Sequence, residues 1–315
     1  MYLEKNIAVV IPAYNEEKLI GKVIETLPDY VDSIVVVDDY SQDRTVAVVQ
    51  SLAVSNKKIT LLQHEQNGGV GAATATGYKW TRDHEIDVSV IMNADFQMDP
   101  EDLPHILQPV CAGECDYTKG NRLFQGESWG MIPKHRYIGN SFLSFFTKIA
   151  SGYWHIADSQ SGYNAISLAA LKAIDLDTLY PQCGIPNDML IRLNIASMRV
   201  RDIPVRPVYN VGEVSGIKIR KVTFAIPWML TKGFFRRMLQ KYVIRDFHPL
   251  IFFYFLGLLF FFFTVILSIR MVVYLNIDGH LPPINTLAAM FSFMSSSLFT
   301  LFAMWFDMEY NKELK

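Results

Sequence analysis

The chain has 315 residues, half of them apolar and 19% charged, with 18 glycines and 14 prolines. That is room for one catalytic domain and an appendage, and it excludes a disordered chain, a collagen-like chain and a disulfide scaffold. The formal charge of −2 hides an asymmetry: the stretch from Val214 to Arg245 holds eight basic residues and no acidic one, leaving 21 basic against 31 acidic residues elsewhere, and an acidic body with a basic collar speaks against nucleic-acid binding and for an anionic membrane surface.

Asn6–Ile11 is rich in β-branched residues and reads as a buried strand. Asn15–Leu27 reads as a helix opened by Asn15, with Glu16 and Glu17 in its first turn. Strands are then expected over Ser33–Val37, Lys58–Leu62 and Val88–Met92, alternating with helices over Asp43–Ala53, Val70–Arg82 and Pro100–Cys111. This alternation predicts an α/β fold, a mostly parallel sheet with helices on both faces. In such sheets ligands gather outside the carboxyl ends of the strands.

Polar clusters follow each of the four strands: Pro12 to Glu16, Asp38 to Asp43, Asn67 to Ala72 and Asn93 to Pro100. Singly, each is explained by helix capping or a turn. Together they suggest nucleotide-diphosphate handling. A diphosphate needs a divalent cation, and Mg²⁺ or Mn²⁺ takes oxygen ligands. Asp95 and Gln97, two apart, project to one side of an extended turn and are the expected metal ligands. Glu16, Asp38 and Asp39 stand where a ribose or base needs acceptors, and Gly68, Gly69 and Gly71 let a backbone approach a flat ring. Neither GxGxxG nor GxxxxGK[ST] is present, so dinucleotide and P-loop readings lack support. Cys111, Cys115 and Cys183 suit a reducing compartment, with no second pair to build a zinc site.

The segment Val222–Tyr242 places Phe224, Trp228, Phe235, Leu239 and Tyr242 at helical spacing, with Lys232, Arg236, Arg237 and Lys241 on the other side. Pro227 and Gly233 are expected to break it into two short amphipathic helices at a membrane interface. Leu250–Ile269 and Ile284–Phe306 carry no charge and are 20 and 23 residues long, enough to span a hydrocarbon core. The small residues Ser295, Ser296 and Ser297 suit helix contact in lipid. The link Asn276–Pro283 has no Lys or Arg, whereas the collar precedes the first span and Lys312 and Lys315 follow the second. The charge bias predicts a multi-pass protein of the cell membrane with its N-terminal domain and both ends cytoplasmic. No signal peptide is read before the opening strand. The expected division is a catalytic domain over 1–220, interfacial helices over 221–247 and a transmembrane hairpin over 248–315, with spans of about 250–272 and 284–306 and a short cytoplasmic tail.

The motifs PAYNEE, VVVDDYSQD, NGGVGAA and MNADFQMDPEDL resemble family 2 glycosyltransferases of the GT-A (Rossmann-like) fold. Within them the chain is similar to the polyprenyl-phosphate glycosyltransferases, the group of dolichol-phosphate mannose synthase and the bacterial undecaprenyl-phosphate glucosyltransferases. The resemblance covers roughly 6–220. It implies inverting transfer of a hexose from a UDP- or GDP-sugar to a polyprenyl (undecaprenyl or dolichyl) monophosphate, with Mg²⁺ or Mn²⁺. By motif it assigns Pro12, Tyr14, Glu16, Asp38, Asp39, Gly68, Asn93 and Ala94 to the nucleotide, and Asp95 and Gln97 to the metal. Arg122 of KGNR, Arg136 and Asn140 of HRYIGN, and Lys218 are implied at the acceptor phosphate. Asp188 sits where an acidic residue lies near the acceptor, as a base, a sugar contact or simply a helix N-cap. Asp95, Arg122, Arg136 and Asp188 form the implied catalytic set.

The sequence departs from the family pattern at Asn93, where a carboxylate is usual, at Tyr40, where Gly is common, and at Asn164, where Arg is common. Two alternatives stay open on sequence: a membrane glycosyltransferase acting on a lipid hydroxyl, and a non-catalytic membrane adaptor that binds a nucleotide sugar. A homo-oligomer is compatible with the sequence.

Overall fold

The computed structural model describes residues 1–123, 134–206, 208 and 219–315 and, within them, all side chains except those of 134–138, 140, 219–223 and 278. Seven strands form one sheet: β1 (Ile7–Ala13), β2 (Ser33–Asp38), β3 (Ile59–Gln63), β4 (Val88–Ile91), β5 (Tyr117–Asn121), β6 (Asn164–Ser167) and β7 (Val200–Pro204). Their order is β3-β2-β1-β4-β6-β5-β7. β1 to β4 are parallel, as the alternation predicts; β6 runs antiparallel between β4 and β5, and β7 pairs parallel with β5. β1 lies inside the sheet and every residue of it is buried, which is why it reads as a continuous apolar run rather than an alternation.

The helices are α1 (Ile20–Glu25), α2 (Thr45–Ser55), α3 (Val70–Asp83), α4 (Leu103–Cys111), α5 (Lys134–Ser151), α6 (Leu168–Ala173), α7 (Ile185–Ile195), α8 (Ile219–Leu239), α9 (Leu250–Asp278) and α10 (Pro283–Tyr310). Alternate residues of β1 feed two cores. Ile7, Val9 and Ile11 pack with Val23, Val49 and Leu107, from α1, α2 and α4. Val10 packs on the other face with Ala73, Tyr78, Leu171 and Leu190, from α3, α6 and α7. Helix α3 lies so close to β1 that a Cβ at Gly77 would come 2.1 Å from Val10 Cγ1.

Three sequence expectations are corrected. The first helix begins at Ile20, not Asn15. Asn15 takes a left-handed φ of 56°. Its neighbour Glu17 accepts from the Arg44 N–H and donates its own N–H to Asp43, so these residues tie two strand-end loops together instead of starting a helix. The expected helix over Pro100–Cys111 opens with a 3-10 turn over Pro100–Asp102, where Asp99 accepts from the Glu101 N–H. Finally, Val222–Tyr242 is not two short helices. α8 runs through Pro227 and Gly233 to Leu239 and passes into a π-turn over Gln240–Arg245. Gly233 is a packing residue, since a Cβ there would meet Ile191 Cδ1 at 2.4 Å.

The chain divides into two compact units, Met1–Phe234 with Leu314–Lys315, and Phe235–Glu313. In the second unit α9 pairs with α10 through small residues. Ser296 Oγ donates to the Gly257 carbonyl at 2.9 Å, and a Cβ at Gly257 would lie 2.6 Å from Thr300 Oγ1. Asn285 Nδ2 donates to the Leu267 carbonyl at 3.1 Å. Both helices are long and apolar enough to cross a membrane. The same unit buries an ion pair: Arg237 Nη1 and Nη2 reach Asp307 at 2.7 and 3.0 Å, and neither side chain is exposed. Lys241 Nζ donates to Asn311 at 2.7 Å. Arg237 and Lys241 are buried and so do not lie on the lipid-phosphate-facing basic side that their spacing predicts.

Candidate active site

The strand order places a topological switch point between β1 and β4, since β1 leads outward to β2 and β3 before the chain returns to β4. Crevices form at such points because the flanking helices lie on opposite faces. Glu16 follows β1 and Asp95 follows β4, on either side of the switch point, close enough for the charge of Asp95 to act on Glu16. Burial, then the charges of Asp95 and Asp43, push the Glu16 carboxyl up to about 7. Asp95 Oδ1 accepts from the Gln97 N–H at 3.1 Å, a turn that needs Phe96 at a φ of 57°. Phe96 is held by Lys22, whose Nζ lies 4.0 Å from the ring centroid.

The loop after β2 is shaped by its aspartates. Asp39 is 3% exposed. Its Oδ1 accepts from the Gly68 N–H at 2.8 Å and its Oδ2 from the Gly69 N–H at 2.7 Å. His64 Nδ1 lies 2.8 Å from Asp39 Oδ1, and His64 Nε2 lies 2.9 Å from Thr76 Oγ1. Asp38 Oδ2 accepts from the Ser41 N–H, while its Oδ1 is buried without a hydrogen-bond partner. Tyr14 and Tyr40 stand exposed beside these loops, and Pro12 and Ala94 are buried. Asn93 N–H donates to Met98 Sδ at 3.3 Å.

The glycine loop works differently from the sequence expectation. The backbone it admits is the chain's own: a Cβ at Gly71 would lie 2.2 Å from the Tyr180 carbonyl oxygen, and one at Gly69 2.6 Å from that of Pro181. The Pro181 carbonyl accepts the Gly71 and Ala72 N–H groups at 2.9 and 3.2 Å, satisfying the first donors of α3.

Asp188 is not an N-cap. It lies inside α7, 6% exposed. Its Oδ2 accepts from Arg192 Nε at 2.7 Å and from the Tyr180 N–H at 3.0 Å. It therefore fixes the 178–181 loop that caps α3. Asn187 beside it joins three elements, accepting from Thr147 Oγ1 of α5 at 2.9 Å and from Gln160 Nε2 at 2.8 Å.

Arg122 is clamped by Asp158, with Nε–Oδ2 at 2.8 Å and Nη2–Oδ1 at 3.2 Å. Asp158 is fully buried. Burial works against its ionisation, but the charge and hydrogen bonds of Arg122, with Lys119, hold the carboxyl below the ordinary range. Lys119 is fully buried, donates to the Ser161 carbonyl and is pushed down to about 8, mainly by burial. Asp202 completes the cluster; burial lifts it to about 6. Sequence reasoning found Arg122 but not Lys119, Asp202, His64 or Asn187. The available signal was a lysine amid the uncharged strand residues of β5, which has to find carboxylates when buried. Arg136 and Asn140 fall on α5 with their side chains outside the described atoms, and Lys218 lies outside the described residues.

Residues 8–175 match the model of glycosyl transferase family 2. The chain belongs to that family. It is thus a glycosyltransferase, and the four strand-end clusters lie within the matched residues. It is 32% identical over 220 residues to a UDP-N-acetylglucosamine–dolichyl-phosphate N-acetylglucosaminyltransferase of Methanococcus voltae, covering 66% of this chain and 87% of that protein. It is 29% identical to an undecaprenyl-phosphate mannosyltransferase of Micrococcus luteus, covering 63% of this chain and 82% of the other. Among solved structures, glucosyl-3-phosphoglycerate synthase of Mycobacterium tuberculosis with Mg²⁺ and UDP superposes with a TM-score of 0.54 at 20% identity, covering 74% of this chain and 79% of that one. That likeness establishes the GT-A fold for this glycosyltransferase.

The donor set suits a hard divalent ion. Asp95 and Gln97 offer oxygens, and Glu16, raised mainly by burial and further by the charges of Asp95 and Asp43, lies in their field. Among the described residues no three His, Cys, Asp or Glu side chains gather to hold a metal alone, so phosphate oxygens and water would complete the coordination.

Proposed function

We propose that this glycosyltransferase moves a hexose, with inversion, from a UDP- or GDP-sugar to a polyprenyl monophosphate at the cytoplasmic face of a membrane. The observation that carries the reading is the Glu16–Asp95 pair across the switch point of a family 2 fold. Asp95 and Gln97 would hold Mg²⁺ or Mn²⁺, which neutralises the departing nucleoside diphosphate. The loops of Tyr14, Glu16, Asp38, Tyr40 and Gly68 hold the nucleoside, with the orphan Oδ1 of Asp38 as an acceptor in reserve.

A lipid monophosphate has its second pKa near ~6 and is mostly dianionic at neutral pH. It is already a nucleophile and needs no strong general base. That suits a site in which Asp188 is taken up by Arg192 and Tyr180. Arg122, held rigid by Asp158, and Arg136, Asn140 and Lys218 receive the acceptor phosphate. The named relatives act on polyprenyl phosphates, which supports the same acceptor class here. Domain 1–220 carries the chemistry, 221–247 lies along the interface, and 248–315 anchors the chain. The exposed apolar faces of α9 and α10, such as Phe255, Phe261, Leu287 and Leu301, support anchoring, because a core helix would bury them.

The test is an acceptor panel on the full chain in lipid: undecaprenyl phosphate, undecaprenol and diacylglycerol, with labelled nucleotide sugars. Transfer to the phosphate alone is expected. Transfer to either hydroxyl acceptor, with the phosphate inert, contradicts the reading.

A further inference from the structure

Lys119 is a buried charge that the proposed chemistry leaves unused. It lies within β5, is fully buried and donates to the Ser161 carbonyl. Burial pulls its pKa down to about 8, and the charges of Asp158 and Asp202 oppose that pull, so the lysine is charged at neutral pH. Such a group is a poor stabiliser of a fold, because exchanging a buried ion pair for apolar side chains of similar volume is often neutral or stabilising. What it holds in place is the better reason for it.

β6 and β7 flank β5, and Asn164 and Asp202 are the register partners of Lys119. Neighbours in register leave a sheet on the same face. The three side chains fasten the segment 157–162. Asp202 Oδ2 accepts from the Ala157 N–H at 2.6 Å. Lys119 holds the Ser161 carbonyl, and Asn164 Nδ2 donates to the Gly162 carbonyl at 2.6 Å. Between these ties sits Asp158, which clamps Arg122 through Nε and Nη2. The segment ends against the loop after β4, where a Cβ at Gly162 would lie 3.1 Å from Met98 Cε and 3.7 Å from Asn93 Nδ2. It therefore links the Arg122 guanidinium to the loop that carries Asp95 and Gln97.

We propose that Lys119, with Asp202 as its counter-charge, is a positioning residue for the acceptor: it fixes the 157–162 segment and, through Asp158, the direction in which Arg122 presents its guanidinium to the lipid phosphate. The inference rests on the polyprenyl-phosphate reading given above.

The test compares the full chain in lipid as wild type, Lys119→Met, and Lys119→Met combined with Asp202→Asn, with undecaprenyl phosphate and a labelled nucleotide sugar. Methionine keeps much of the lysine's length without its charge. The double variant removes both charges together and keeps an amide oxygen for the Ala157 N–H, so it serves if the single variant folds poorly. The KM for undecaprenyl phosphate should rise roughly tenfold or more in both variants, while the KM for the donor and the thermal midpoint of the double variant stay close to those of the wild type. A double variant with the wild-type acceptor KM overturns the proposal, because the lysine would then act through charge balance alone. Unchanged KM values with a lowered midpoint overturn it too, leaving Lys119 a purely structural role, as does an equal rise in both KM values. A wild type that uses a lipid hydroxyl and leaves the phosphate untouched sinks the acceptor reading itself, and is seen before any variant is compared.

Discussion

Tyr40 shows at one residue how function and local strain meet. The family commonly has glycine there, and the structure gives the reason: Tyr40 sits at a φ of 67°, where a Cβ costs about 1 kcal/mol or more. Yet its ring is half exposed beside the loops proposed to hold the nucleoside. Tyr40→Gly should raise the thermal midpoint by a few degrees, equivalent to about 1 kcal/mol, while raising the KM for the donor; a lower midpoint would show the strain is absent. Glu16 gives a second residue-level test. Its carboxyl stands at about 7 against an ordinary 4.5. Through that window the folded chain keeps a proton the unfolded chain has released, so stability falls as pH rises. In chelator, the wild type should lose thermal stability from pH 5 to 8, and Glu16→Gln should flatten that slope. Equal slopes would show that Glu16 does not titrate there.

Elements show which part of the fold was legible. The four parallel strands and their helices could be read because buried β-branched runs alternating with helix-forming segments are local signals. The antiparallel β6 could not, because Asn164–Ser167 is a four-residue strand whose pairing is set by distant β4 and β5. Capping chemistry misled in two places for one reason. Asn15 and Asp188 have capping side chains, but Asn15 serves a neighbouring loop, where its Oδ1 accepts the Gln42 N–H, and Asp188 a buried arginine. Gly233 and Pro227 carry breaker signals that packing overrides. The strand-end motifs identified Arg122, whereas the partner that holds it, Asp158, comes from elsewhere in the chain, as does Lys22, which packs on Phe96 beside Asp95. The Arg237–Asp307 pair spans 70 residues and has no local signature. Removing one partner leaves a buried charge uncompensated, at a cost of about 3–5 kcal/mol. Asp307→Ala should therefore unfold the C-terminal unit at lower temperature in detergent, and Arg237→Met with Asp307→Leu should recover much of the loss. A single variant as stable as the wild type would contradict the burial.

At the scale of the molecule, one chain joins an acidic catalytic body to a basic, aromatic collar and two apolar helices. This arrangement makes sense if donor and acceptor reside in different phases: the nucleotide sugar in water, the lipid phosphate in a bilayer. Holding the site at the boundary turns a rare encounter into a local one. The site itself would supply two things, a fixed guanidinium field for the incoming phosphate and a cation for the leaving diphosphate. In the proposed reaction, the cation is the part on which transfer depends. The most direct measurement is formation of acid-labile, lipid-linked sugar from labelled nucleotide sugars and undecaprenyl phosphate by the full chain in lipid, with and without EDTA, in the wild type, Asp95→Ala and Gln97→Ala. Product should form with at least one donor, vanish on chelation, return with Mn²⁺ or Mg²⁺, and fall by roughly a hundredfold or more in each variant. Product that survives chelation and both substitutions at near-normal rates would contradict the account.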